Sequence, residues 1–137
     1  MRRRHRECGT AAVEFVFVAP ILIVVFLLIV GLGRMAHARQ QVEGVAADAA
    51  RAASLERNTS LSKSAGMASA KSALADAGLA CTSLDVNVDI SDYRPGGAVT
   101  ATVTCVAQLG DVTLSGLPGK RTFVARSSVP IETYRSK

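Results

Sequence analysis

The run from Phe15 to Gly33 contains no charged or strongly polar side chain. As a helix rising about 1.5 Å per residue, it is long enough to cross a hydrocarbon core of about 30 Å. Four arginines precede it: Arg2, Arg3, Arg4 and Arg6. The positive-inside preference places that end in the cytoplasm and everything after Leu32 outside, as a single-pass protein of the cell membrane. A chain of 137 residues that commits such a stretch to lipid has room for one modest extracytoplasmic domain, too small for a large catalytic core. The net charge of +5 is concentrated at the start: without Met1–Gly9, which holds four arginines and Glu7, it falls to +2. The basicity therefore reports topology, not a nucleic-acid surface. The absence of Trp also argues against a platform for stacking bases.

Glu14 is the anomaly in this segment. An acidic side chain costs about 2.5–3.5 kcal/mol at the bilayer centre and less toward the interface. One reading is a first-turn Glu that faces the headgroups and complements the positive end of the helix. That reading does not account for a glycine closing the basic leader five residues earlier. The spacing of Gly9, four residues, Glu14 and Phe15 resembles the processing site of type IV-like prepilins. With the apolar run around Pro20 and the segment Arg34–Ala53, it resembles the TadE-like proteins of tight-adherence (Tad/Flp) pilus systems. The resemblance is close from Gly9 to about Ala53.

The resemblance implies a minor pilin or pseudopilin that takes part in assembling a Tad/Flp-type pilus or related secretion machinery. It implies cutting by a prepilin peptidase after Gly9, with Thr10 as the new N-terminus. Glu14, followed by Phe15, would then help subunits align by meeting a neighbour's new ammonium group, which offsets the desolvation of both charges. The implied partners are membrane lipid, the peptidase, other pilins and Tad assembly proteins, with no nucleic acid and no cofactor.

The chain divides in sequence into a basic leader (1–9), a membrane helix (10–33), a helical stalk (34–55) and a small αβ head (56–137). The expected fold class is α+β. Pro20 removes a backbone donor inside the span and is a candidate kink. Gly31 and Gly33 are either a joint between anchor and head or the ordinary glycines of a membrane helix. An unbroken helix from Thr10 to Leu55 would be about 69 Å long. Met35, Val42, Val45, Ala46, Ala49 and Ala53 lie on one helical face. That face could meet neighbouring helices in a fibre or pack on the chain's own head.

A second helix is expected over Leu61–Ala77, capped by Thr59 or Ser60 and stopped at Gly78, with a weak stripe of Leu61, Ala65, Ala68, Ser72 and Leu74–Ala75. From Thr82 the period becomes two. Leu84, Val86, Val88 and Ile90 alternate with polar residues, as do Val99, Ala101, Val103 and Cys105. A turn over Ser91–Gly97 joins them, and matching apolar faces pairs Ile90 with Val99 and Leu84 with Cys105. A third strand runs over Arg121–Val129 after a turn at Leu117-Pro118-Gly119, which gives a three-stranded antiparallel sheet covered by the helices. Cys81 and Cys105 fall on the outer side, where disulfides persist. A disulfide between them is expected, and it would contribute about 3 kcal/mol in the chain-entropy model. The alternative is two separate buried thiols.

No catalytic or metal site is expected. Asp85, Asn87 and Asp89 begin like a calcium loop, but Ile90 stands where the loop needs Gly and Gly96 where it needs an acid. His5 and His37 have no ligand-spaced partners. Three alternatives to the pilin reading stand beside it. One is a permanent membrane protein with a binding head, never cut. Another is a soluble secreted domain released by signal peptidase after Ala38, at the small-x-small triplet Ala36-His37-Ala38. The last is an enzyme, for which no nucleophile, base and orienting group assemble.

Overall fold

The computed structural model describes residues 7–108 and 119–134, with side chains from residue 13. The elements are α1 (Glu7–Leu55), α2 (Thr59–Ala77), β1 (Cys81–Asp92), β2 (Ala98–Gln108) and β3 (Lys120–Pro130). The fold is α+β, with an N-terminal apolar helix, a second helix and an antiparallel sheet ordered β1-β2-β3. The chain forms two compact units that divide between Arg34 and Met35.

The first unit is the apolar part of α1. From Val13 to Val30 every residue is exposed except the half-buried Ala19. Phe15, Phe17 and Phe26 each leave about two thirds of their surface uncovered. This is the one helix among the described residues that is long and apolar enough to cross a membrane. A helix apolar on every side meets either lipid or other helices, because water penalises such a surface. Pro20 lies within α1, and the helix continues through it.

The second unit is the head. Ala38, Val42, Val45, Ala46, Ala49, Ala50 and Ala53 of α1 are buried. Most of them join Ala70 and Leu74 of α2 and Ala101, Val103, Cys105 and Ala107 of β2 in one core. The small-residue face of α1 is thus taken up by the chain's own head, not left open for neighbouring helices. Helix α2 runs antiparallel to α1, with Ser62 beside Ala53 at one end and Gln41 beside Ala77 at the other.

Helix α2 corrects two expectations. It starts at Thr59, and its N-cap is Asn58, whose side chain accepts from the Ser60 backbone N–H at 2.9 Å. Asn58 has extended dihedrals and a carboxamide that reaches the second helical N–H, so Thr59 and Ser60 become helical residues rather than caps. The buried stripe is Ser62, Gly66, Ala70 and Leu74, whereas Leu61 is 55% exposed. Close approach selects small side chains for that face. A Cβ on Gly66 would lie 2.9 Å from Val88 Cγ2 and 3.2 Å from the Ala49 carbonyl oxygen. Gly78 ends the helix in the left-handed conformation, as expected.

In the sheet, Leu84 pairs with Cys105, and the register stays regular to Asp89–Thr100. The expected Ile90–Val99 pair is displaced by an irregularity, beyond which Asp92 pairs with Ala98. Local bonds draw the chain off the ladder there: Ser91 N–H donates to Asp89 Oδ1 at 2.9 Å, and Tyr93 N–H to the Ile90 carbonyl at 3.2 Å. Gly97 passes so close to the Asp92 carbonyl that no Cβ would fit. Strand β3 begins one residue earlier and ends one later than expected, and pairs along its length with β2. The turn residues Leu117 and Pro118 lie outside the described residues.

Candidate functional site

Helix α1 takes in Gly9 and Thr10, and the described side chains begin just beyond them. Glu14 is exposed and flanked by Val13 and Phe15, both more than half exposed. Thr10 and Glu14 are four residues apart, which places them on one helical face about 6 Å apart along the axis. The local arrangement is a single carboxylate at the start of an otherwise apolar surface. Chemically it can hold a cation or a hydrogen-bond donor and little else.

The second feature is the bond between Cys81 and Cys105, with Cα atoms 5.5 Å apart. Cys81 faces Ala107 across the ladder, and a register shift between Cys81 and Ser83 lets it reach Cys105 diagonally. Cys105 is fully buried and Cys81 half-buried, and both border the core. The bond staples β1 to β2 where β1 leaves α2.

Several residues that hold the head escaped sequence reasoning. Ser62 Oγ donates to the Ala53 carbonyl at 2.7 Å, and Tyr93 Oη donates to the Glu56 carbonyl. Together they satisfy the Ala53 carbonyl in the last turn of α1, which no further helical N–H can reach, and the Glu56 carbonyl just past the helix. Gln41 Nε2 does the same for α2, donating to the Ala77 carbonyl at 3.0 Å. Gly66 did leave a signal, because a glycine inside a helix costs about 1 kcal/mol relative to Ala and calls for a packing reason.

Asp85, Asn87 and Asp89 are exposed, and among the described residues no group of three or more His, Cys, Asp or Glu could hold a metal ion. The Ser91 backbone N–H holds the Asp89 carboxyl below its ordinary value, and the Asp92 side chain raises the Arg94 guanidinium above its own.

Residues 9–51 match the family model described as TadE-like protein. The match begins at Gly9, includes Glu14 and Pro20, and ends within α1 before α2 and the sheet. No curated protein and no solved structure gave a significant match to the chain.

Proposed function

We propose that this chain is a TadE-like minor pilin or pseudopilin that takes part in assembling a Tad/Flp-type pilus or related secretion machinery. The observation that carries the reading is the combination of Gly9, Glu14 and a charge-free run, all inside the segment that matches the TadE-like family. That family consists of pilus assembly proteins, not enzymes. The apolar half of α1 holds the precursor in the membrane, with the arginine-rich end cytoplasmic and the head outside. A prepilin peptidase cuts after Gly9, and Thr10 becomes the N-terminus. The same apolar surface is later buried against other helices in the assembly.

Glu14 gives that surface its register. Its carboxylate in lipid is favourable only with a partner, and the new ammonium of a neighbouring copy supplies one. The chain's own ammonium at Thr10, one turn away, is the competing partner before assembly. Pro20 lets the helix bend while it is repacked.

The test is the N-terminal residue of the protein in native membranes, read by mass spectrometry. Thr10 is expected. Met1 would identify a permanent uncut anchor, and Arg39 would identify a domain released after Ala38. A Gly9→Val chain is expected to stay uncut, because a β-branched side chain enters the scissile position. A Glu14→Ala chain is expected to be cut normally but to assemble poorly, and normal fibres from it would remove the charge-pair role.

A further inference from the structure

The charges of the head's sheet are sorted by strand. Strand β1 carries Asp85, Asp89 and Asp92 and no cation. Strand β3 carries Lys120, Arg121 and Arg126 and no acid. Strand β2, between them, carries no charge at all. All six charged residues are exposed. The helices cover one face of the sheet, and the other presents rows such as Asp85–Thr104–Val124 and Asn87–Thr102–Arg126. The acidic and basic edges are therefore two strand spacings apart, about 10 Å, and β2 keeps the two strands from pairing directly within one chain.

We propose that these edges recognise each other between copies of this chain, the acidic β1 edge of one head docking on the basic β3 edge of the next. The argument for a second copy is charge complementarity. Apposing two β1 edges or two β3 edges brings like charges together, whereas apposing unlike edges at the same level brings Arg126 of one copy between Asp85 and Asp89 of the next, with Lys120 and Arg121 farther along the edge toward the level of Cys81. Asp92 is already engaged locally by Arg94, and Asp89 lies within electrostatic reach of Lys63 on α2 and Arg126 on β3, which leaves Asp85 the most available acid.

Direction also fits. Strands β1 and β3 are each antiparallel to β2 and so parallel to one another. Copies inserted the same way in a membrane would appose edge strands that run in the same direction. Among the described residues each outer strand has only β2 as a strand neighbour, and an edge strand is a template for pairing with another chain. A contact between unlike edges is heterologous: it leaves a free edge at each end and propagates. For its place in a fibre this contact rests on the pilin reading, but as a contact between membrane-anchored copies it is read from the sheet alone.

The test uses the full-length chain in zwitterionic proteoliposomes, with energy transfer between donor- and acceptor-labelled copies as the measure of association. Reversing the acidic edge (D85K/D89K) or the basic edge (K120E/R121E/R126E) is expected to weaken association about tenfold at physiological salt. Mixing the two reversed chains is expected to restore it to within about twofold, since each then presents the edge the other lacks. Circular dichroism and an intact Cys81–Cys105 bond report that each variant is folded. Unchanged association in folded single-edge variants overturns the proposal, and so does a mixture that fails to recover. A loss confined to the basic-edge variant also overturns it, and points instead to an anionic partner such as a lipid headgroup. Because cleavage is read separately at Thr10, failure here and failure of the pilin reading are distinguishable.

Discussion

Helix α1 is built from two kinds of apolar surface. Between Val13 and Val30 it displays Phe, Ile, Leu and Val on every side, almost all exposed. Between Ala38 and Ala53 it buries mostly alanine, with Val42 and Val45, along one face. The first surface is large-sided and unspecific, suited to lipid tails or to whatever helices replace them. The second is small-sided and tightly matched, suited to one neighbour at close range. Hydrophobicity is common to both; side-chain volume separates them, because close packing in the head penalises added volume while a lipid-facing surface has no fixed partner to clash with.

That contrast is breakable. The largest expected effect is confined to the head: reducing Cys81–Cys105, or Cys105→Ala, is expected to lower head stability by about 2–4 kcal/mol. Denaturant melts followed by near-UV circular dichroism would read the loss, with helicity of the membrane segment retained. Two free thiols in protein purified without reductant would refute the bond itself.

Volume sharpens the comparison further. Gly66→Leu is expected to cost at least about 1–3 kcal/mol by driving α2 off Val88 and Ala49, whereas Ala19→Leu in the span should leave head stability unchanged. Equal effects in the same melts would erase the distinction between the two surfaces. Ser62→Ala, which leaves the Ala53 carbonyl only the long 3.5 Å bond from Tyr93 Oη, is expected to cost about 1–2 kcal/mol in those melts.

The smallest effect is electrostatic. The folded-state pKa of Asp89 is lowered, chiefly by the Ser91 N–H, so its contribution is present above the unfolded-state value and is lost as pH falls through the folded one. Asp89→Asn should therefore slightly flatten the acid side of the stability–pH curve and leave the neutral plateau's slope untouched. A steeper acid limb in the variant would contradict the assignment.

What the sequence disclosed follows the same division. The apolar helix, the Leu84–Cys105 register and the stop at Gly78 rest on strong local signals, an unbroken apolar run, period-two alternation and a helix-ending glycine, while the Cys81–Cys105 bond was expected from the outer placement of both cysteines. Of the expected face of α2 Leu74 is buried and Leu61 is not, because ranking by hydrophobicity favours Leu61 while the fold selects Ser62, Gly66 and Ala70 for their size. The displaced Ile90–Val99 pair was hidden because alternation carries no information about side-chain bonds such as Ser91 to Asp89. Glu14 stood out only as an exception to its surroundings. In the proposed function its partner belongs to a neighbouring copy, which the isolated chain does not display.

The covalent staple encloses β1 and β2 but not β3, whose grip on β2 consists of hydrogen bonds and side-chain contacts alone. Mechanical load drawn through the C-terminal end would first have to free Ile131, which is buried with Ala53, Val88 and Val99 and bonded to Gly96 and Gly97, and would then reach β3. The loop between Cys81 and Cys105 would stay closed. Under tension the head has a built-in order of failure, with its last strand as the yielding part and its first two as the part that survives.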